Sequence, residues 1–387
     1  MTGEPLALYV HWPFCVSKCP YCDFNSHVRE SIDQDAWREA LLADLAHEAS
    51  LLGGRELTSI FFGGGTPSLM ESSTVASIIE AAAQHWQPSA DIEITLEANP
   101  NSVETARFAD LAKAGVNRVS LGLQSFDDKA LAFLGRAHSA REGFAALATA
   151  QKHFRRVSFD LIYALPGDAE DSWSATLAQA LSLGTSHLSL YQLTIEPGTR
   201  FASMVARHEM DPLDAETSAA LFELTEEMTA AGGMPAYEIS NHARKGQESR
   251  HNLTYWRYGD YAGIGPGAHG RRLGRRTTRH RKPENFLSAL TRNGHGIAEE
   301  ALLTPVEAAD EALVMGLRLA EGIDVDRLSE RFGVPLVDWN RVERLVSTGH
   351  LARDGTRIAA TSEGRLLLDS ILGEIAADEP KALAVAG

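Results

Sequence analysis

Cysteine is scarce in this chain: three in 387 residues, at positions 15, 19 and 22. Three thiols make no disulfide framework, and a chain using cysteine as a small core hydrophobe would scatter it. Long apolar runs are missing as well. No stretch approaches about 18 uninterrupted apolar residues, so no membrane-spanning helix is expected. Met1 to Pro5 have no basic flank and no cleavable apolar region, so no secretory signal is expected there. Reduced thiols without a secretion signal lead to the expectation of a cytoplasmic protein. Positive charge is in deficit, with 36 Lys and Arg against 52 Asp and Glu and a net charge of -16. That balance disfavours a general nucleic-acid binder, because phosphate neutralisation needs excess lysine and arginine.

What is present is ordinary for a soluble globular protein: 44% hydrophobic and 23% charged residues, in a length suited to two or three domains. The first half alternates β-rich runs with amphipathic stretches. Strands are expected at 6–11, 59–62, 92–96, 118–121, 157–162 and 187–192. Helices are expected at 35–52, 73–86, 104–113, 140–153, 171–183 and 215–230. This rhythm predicts an α/β fold of parallel strands with right-handed crossovers, a partial or complete (β/α) barrel, with a doubly wound sheet as the alternative. Regular alternation ends near Gly263–Gly274, and low periodicity continues through residues 271–283. Helical stretches at 307–320, 325–332 and 337–348 then precede residues 351–361, where Asp354-Gly355 signals a hairpin. A last helix is expected at 362–375 and a frayed tail from Ala377 to Gly387. Helices, a hairpin wing and a helix predict a small winged-helix-like α+β domain. From Pro283 onward eighteen acidic residues face ten basic ones, which argues for packing or protein contact over DNA. The expected boundaries are 1–235 for the barrel core, 236–300 for a connecting segment, and 301–387 for the C-terminal domain.

The three cysteines fall within eight positions as Cys15-Val-Ser-Lys-Cys19-Pro-Tyr-Cys22, directly after the first expected strand. In barrels the loops after the strands carry the chemistry. Three thiolates can hold three irons of a cubane cluster and leave the fourth iron open for a ligand. The alternative is a zinc site completed by His27 or His11, against which stands the lack of a second cysteine pair.

Polar and glycine residues recur at the later strand ends. Gly63-Gly64-Gly65-Thr66-Pro67 follows the second strand, Glu97 ends the third and Gln124 the fourth, and Asp160 lies in the fifth. Each alone is commonly a cap or turn residue. In register after successive strands they point to one shared site. A basic island spans 241–282, with eleven Lys and Arg against Glu248 and Asp260, which fits one anionic ligand or a solvated linker.

The cysteine run, with Tyr21 just before the last cysteine, resembles the signature of radical S-adenosylmethionine enzymes. The segments Tyr9-Val-His-Trp-Pro-Phe-Cys15, Gly63-Gly-Gly-Thr-Pro67, Gly122-Leu-Gln-Ser-Phe126, Asp160-Leu-Ile-Tyr-Ala-Leu-Pro-Gly167 and Gly263-Ile-Gly-Pro-Gly-Ala-His269 narrow it. They resemble the coproporphyrinogen dehydrogenase family over nearly the whole chain. The resemblance implies a radical-SAM partial (β/α) barrel with a HemN-type C-terminal domain. It implies a [4Fe-4S] cluster on Cys15, Cys19 and Cys22. It implies an S-adenosylmethionine pocket lined by Tyr9, Tyr21, Gly64, Gly65, Thr66, Glu97, Gln124, Arg136, Asp160 and Ala268.

Two departures divide the family. The HemN dehydrogenases carry another cysteine two residues after the third ligand and a long N-terminal arm. Here Phe24 holds that position and eight residues precede Tyr9. Both features match the HemW branch of haem chaperones, as does His251-Asn252-Leu-Thr-Tyr255-Trp256. That resemblance implies haem bound through His251, Asn252, Tyr255 and Trp256, with imidazole as an axial ligand and the rings beside the macrocycle. The island's guanidinium groups would pair with the two propionates. His242, His269 and His280 are rival ligands, and a partly buried, satisfied histidine is the plainer reading of His251. The branch implies delivery of haem to acceptor proteins such as respiratory haem proteins, a homodimer, and membrane attachment only through partners. Oxygen-independent coproporphyrinogen III dehydrogenase is the alternative activity.

Overall fold

The structure, a computed structural model, describes residues 5–377. The start of the chain through Glu4 and the tail from residue 378, where a leader was not expected and fraying was, lie outside the described residues.

The chain opens with β1 (Leu6–Trp12), followed by a short parallel pair, β2 (Phe14–Cys15) and β3 (His27–Val28). Then come β4 (Glu56–Gly64), β5 (Gln87–Ala98), β6 (Arg118–Gln124), β7 (Arg156–Tyr163) and β8 (His187–Gln192). Neighbouring strands pair in parallel in the order β1-β4-β5-β6-β7-β8, which is the expected partial (β/α) barrel. Crossover helices lie at Gln34–Leu51, Ser72–His85, Ala140–His153 and Glu170–Ser182, and the helix Ala215–Ala231 follows β8. Their starts are locally encoded. Asp33 accepts from the Ala36 N–H, and Ser139 with Glu142 forms a reciprocal capping box. The helix expected at 104–113 is two pieces, Ser102–Thr105 and Phe108–Lys113. At the break Arg107 donates to the carbonyls of Ser68, Leu69 and Met70, fixing the joint to the loop after β4.

Strand periodicity sorts the side chains. Leu6, Leu8, Val10 and Trp12 of β1 join Phe62, Leu96, Leu121, Phe159 and Leu188 in the apolar core. The alternate positions form the inner face: Tyr9 and His11, then Ser59 and Phe61, then Glu93, Thr95 and Glu97. Arg118, Ser120, Ser158, Asp160, His187 and Ser189 complete it. An apolar outside and a polar inside invert the usual arrangement of a small barrel, and they mark where a ligand is handled.

The region read as low in periodicity is regular. β9 (Asn241–Ala243) adds antiparallel to β8. β10 (Asp260–Ile264) pairs in parallel with β1, and β11 (His269–Arg272), β12 (Arg275–Arg279) and β13 (Ile297–Leu302) extend the sheet beyond it. These strands are short, and β11 to β13 carry adjacent like charges on both faces, so they show little hydrophobic alternation. Their charges are neutralised within the fold. Arg279 bonds Glu48 at 2.6 Å and Asp44 at 3.3 Å, and Arg272 bonds Glu48 and Glu300, with both arginines almost fully buried.

A second compact unit comprises residues 237–239, 255–258 and 302 onward. It holds helices Pro305–Gly316, Val325–Phe332 and Trp339–Ser347 and a three-stranded sheet of β14 (Ile323–Asp324), β15 (Leu351–Asp354) and β16 (Arg357–Ala360). β15 and β16 are the expected wing. The last helix is split at Leu367 into Ser362–Leu366 and Leu368–Ile375. Val325, Leu336, Val342, Leu351, Ile358 and Ile371 form its own core.

Candidate functional site

The loop from Cys15 to Cys22 leaves the C-terminal end of β1, and all three thiols are half-buried. The Cys22 N–H donates to the Cys19 carbonyl at 3.2 Å, a turn that brings the last two together. Two side chains donate to sulfur: Thr66 Oγ1 to Cys15 at 3.4 Å and Arg136 Nη1 to Cys19 at 3.6 Å. Donors to sulfur stabilise thiolate and tune the potential of an iron–sulfur cluster. Burial pushes the Cys15 and Cys22 thiols up, which favours the neutral thiol until a metal takes the thiolate. Among the described residues no three His, Cys, Asp or Glu side chains converge on one ion. The donor set on this loop is three thiols with hydrogen-bond support, which fits a three-cysteine cluster.

The glycine loop after β4 is threaded against the cysteine loop. Gly65 N donates to the Trp12 carbonyl at 2.7 Å and Thr66 N to the Phe14 carbonyl at 2.8 Å. A side chain does not fit there: a Cβ on Gly65 would lie 2.6 Å from the Phe14 oxygen, and one on Gly64 2.6 Å from the His11 ring. Gly64 N donates to Glu97 Oε2 at 3.2 Å. Asn99, two residues past Glu97, donates to Thr66 Oγ1 at 3.1 Å and accepts from Arg136, which also donates to the Gly122 carbonyl at 2.9 Å. Cys15, Thr66, Asn99, Arg136 and Cys19 thus form one continuous hydrogen-bonded chain. Asn99 was not singled out from the sequence, although its place at a strand end beside Glu97 is the signal that marks it.

Deeper in the barrel, Glu97 and Asp160 are half-buried carboxylates that face inward. Burial, then the nearby Asp160 charge, raises Glu97 to about 8. Burial also raises Asp160 to about 6, against hydrogen bonds from Ser189 and Ser120, the latter at 3.0 Å. Near neutral pH Glu97 therefore keeps its proton beside a largely ionised Asp160, and an entering cation favours its release. The backbone is strained where β6 and β7 meet this level. Gln124 has φ 66° and Ala164 φ 59°, left-handed values that cost a non-glycine residue about 1 kcal/mol or more. Tyr21 packs against Phe201 beside the cysteine loop, and Ala268 is fully buried at the end of the loop after β10. The structure brings together Thr66, Arg136 and the cysteines, and separately Glu97 with Gly64 and Asp160.

The floor of the barrel is charged and closed. Glu93 takes Arg118 at 3.1 Å and Arg156 at 2.6 Å, and also the backbone N–H of Arg250 at 2.9 Å. Arg250 begins the helix Arg250–Trp256, which carries His251, Asn252, Tyr255 and Trp256. His251 is 6% exposed and points inward, its ring 4.8 Å from Phe61 and 5.9 Å from Tyr9, both stacked. Burial lowers His251 to about 4, so the ring is neutral. Asn252 N donates to Ser249 Oγ at 3.3 Å. In the second unit the Tyr255 and Trp256 rings lie 4.5 Å apart, with the Arg318 guanidinium 4.7 Å over Trp256.

The basic island does not act as an open patch at five of its positions. Besides Arg272 and Arg279, Arg250 pairs with Asp91 and Arg257 with Glu321, while Arg271 is buried and donates to the Gly259 carbonyl. Their partner acids Asp44, Glu48, Asp91, Glu300 and Glu321 lie outside the stretch counted along the chain. The expected pairing of the island with haem propionates is corrected accordingly for these arginines.

Residues 9–180 match the family model described as Radical SAM superfamily, and residues 303–367 match the HemN C-terminal domain. The chain is 37% identical to "Heme chaperone HemW" of Escherichia coli over 376 residues, 95% of this chain and 97% of that one. It is 39% identical to the bovine "Radical S-adenosyl methionine domain-containing protein 1, mitochondrial" over 385 residues, 96% of this chain and 87% of the relative. The crystallised coproporphyrinogen III oxidase HemN of Escherichia coli superimposes with a TM-score of 0.81 at 23% identity, covering 96% of this chain and 89% of that one.

Proposed function

The chain belongs to the HemW branch of the coproporphyrinogen dehydrogenase-like family in the radical SAM superfamily, and on that premise we propose that it is a haem chaperone. It binds haem and passes it to acceptor haem proteins, respiratory ones among them. Cys15, Cys19 and Cys22 hold a [4Fe-4S] cluster. Tyr9, Tyr21, Gly64, Gly65, Thr66, Glu97, Gln124, Arg136, Asp160 and Ala268 line the S-adenosylmethionine pocket. When bound, a cluster with an open iron supplies an electron that cleaves a sulfonium bond. Thr66 and Arg136 hold two of the sulfurs, and the Glu97 proton leaves as the cationic cofactor enters. His251, Asn252, Tyr255 and Trp256 are the haem motif.

The observation that carries the chaperone reading is Phe24. Two residues after Cys22 it stands 59% exposed, where the dehydrogenases of the family carry a further cysteine. The relatives whose printed name is a haem chaperone match nearly the whole chain, which supports the same reading. Among the described residues no helix is long and apolar enough to cross a membrane. With reduced cysteines, that supports work in the cytoplasm, with membrane contact only through partners. The acidic C-terminal unit supports protein contact, a homodimer or an acceptor, over nucleic acid. Coproporphyrinogen III dehydrogenase is the second reading, favoured by the shared fold alone.

One experiment separates the two. Anaerobically reconstituted protein is titrated with haem, and the same sample is incubated with coproporphyrinogen III, S-adenosylmethionine and reductant. A chaperone gives a Soret band and no vinyl product. Formation of protoporphyrinogen gives the dehydrogenase.

A further inference from the structure

Asn25 stands three residues after Cys22, where the cysteine loop turns back toward β3. Its amide nitrogen donates twice, to the Pro266 carbonyl at 2.9 Å and to the Arg281 carbonyl at 2.9 Å. The main-chain carbonyl of Asn25 takes His11 Nε2 at 2.9 Å, and the other nitrogen of that ring meets the Tyr9 hydroxyl at 2.9 Å. A carbonyl only accepts, so His11 carries its proton on Nε2, and Nδ1 accepts from Tyr9. The orientation of the Tyr9 hydroxyl is thereby fixed from the far side of the cysteine loop.

Pro266 sits in the Gly265–Ala268 loop, which ends at a wall of the cofactor pocket. That loop is held from the other side by Asp44, whose carboxylate accepts from Gly265 N at 3.1 Å. Contact with the cysteine loop is close-packed. A Cβ on Gly267, where φ is +83°, would lie 2.4 Å from the Asn25 amide nitrogen. Asn25 is therefore the link between two loops that are about 240 residues apart in sequence, its partner Pro266 lying 241 positions on. None of the three thiols needs that amide as a ligand.

We propose that Asn25 is a positioning residue that ties the cysteine loop to the Gly265–Ala268 loop, so that filling Cys15, Cys19 and Cys22 shapes the pocket for S-adenosylmethionine. The inference rests on the pocket reading above and adds a coupling between cluster and cofactor. Without the amide, the cysteine loop still presents three thiols and its main chain still holds His11, but the wall at Ala268 loses its tie to that loop.

The test uses the full chain, loaded with cluster under anaerobic conditions, as parent, Asn25→Asp, Asn25→Ala, Gly267→Ala and the double variant Asn25→Ala/Gly267→Ala. Iron and sulfide per chain, S-adenosylmethionine affinity by equilibrium dialysis, and the electron paramagnetic resonance of the reduced cluster with and without S-adenosylmethionine are measured. Asn25→Ala keeps the parent iron content and binds S-adenosylmethionine about tenfold more weakly, the scale of two neutral hydrogen bonds. Asn25→Asp is weaker still, because a carboxylate then faces two carbonyls. Gly267→Ala weakens binding too, and the double variant loses less than the product of the single losses, since the clashing side chain is gone. Parent affinity in both Asn25 variants overturns the assignment, as do strictly multiplicative losses in the double variant. Loss of iron from the Asn25 variants also overturns it, by making Asn25 a support of the cluster alone. Failure of the parent to bind S-adenosylmethionine overturns the pocket reading itself.

Discussion

The His251 imidazole stacks on the Phe61 ring, centroids 4.8 Å apart and planes 23° from parallel, inside the barrel floor. A neutral imidazole is ready to bind iron, but this one is packed between strands. If it serves haem, it leaves the stack first, and the observed affinity is reduced by the fraction of molecules in which it has done so. Phe61→Ala is predicted to speed haem uptake severalfold in stopped-flow absorbance, and His251→Ala to weaken the Soret band. Unchanged haem spectra in His251→Ala would remove it from the ligand set.

The proton held by Glu97 predicts a pH profile. Glu97 in the folded chain holds its proton up to about 8, against 4.5 for an ordinary glutamate. Folding raises this pKa, so its effect on stability fades upward: stability of the cofactor-free protein falls as pH rises from about 4.5 through about 8. Glu97→Gln is predicted to flatten that slope in thermal melts. Binding of S-adenosylmethionine shows the opposite sign, strengthening as pH rises toward 8 as the proton to be displaced is lost. A pH-independent affinity between 6 and 8 contradicts this.

The Glu93 ion cluster is a structural commitment. Removing its carboxylate leaves Arg118 and Arg156 uncompensated at the barrel floor and the Arg250 N–H without its acceptor. Glu93→Ala is predicted to cost about 3–5 kcal/mol by chemical denaturation. A loss below about 1 kcal/mol is what exposed pairs give, and would mean that the floor is hydrated.

The paired arginines of β11 and β12 belong to the same category. Arg279→Met is predicted to lower stability through the stranded Asp44 and Glu48, and to leave haem affinity and its salt dependence unchanged. A loss of haem affinity at parent stability would restore the guanidinium–propionate reading.

Much of this site was legible because barrel strands alternate and end in register. Glu97, Gln124 and Asp160 stood out by position along parallel strands and Cys15, Cys19 and Cys22 by spacing, whereas Tyr9 was singled out only by the resemblance. What escaped was set by contacts across long separations. Asn25 looks like any loop polar residue until Pro266 is placed beside it. The positive island between 241 and 282 is neutralised at Arg250, Arg257, Arg272 and Arg279 because their counter-charges come from the helix Gln34–Leu51 and from Asp91, Glu300 and Glu321. β9 to β13 were missed because strands this short carry no clear period, and the sheet holds them by edge pairing instead.

The central claim is a cluster whose fourth iron is left open to a cofactor. It is tested by iron and sulfide analysis of oxygen-free protein, with electron paramagnetic resonance before and after S-adenosylmethionine is added. The account predicts about four irons per chain, a signal that changes on addition, and loss of the chromophore in Cys15→Ser, Cys19→Ser and Cys22→Ser. Zinc in place of iron, or a cluster spectrum indifferent to S-adenosylmethionine, would contradict it.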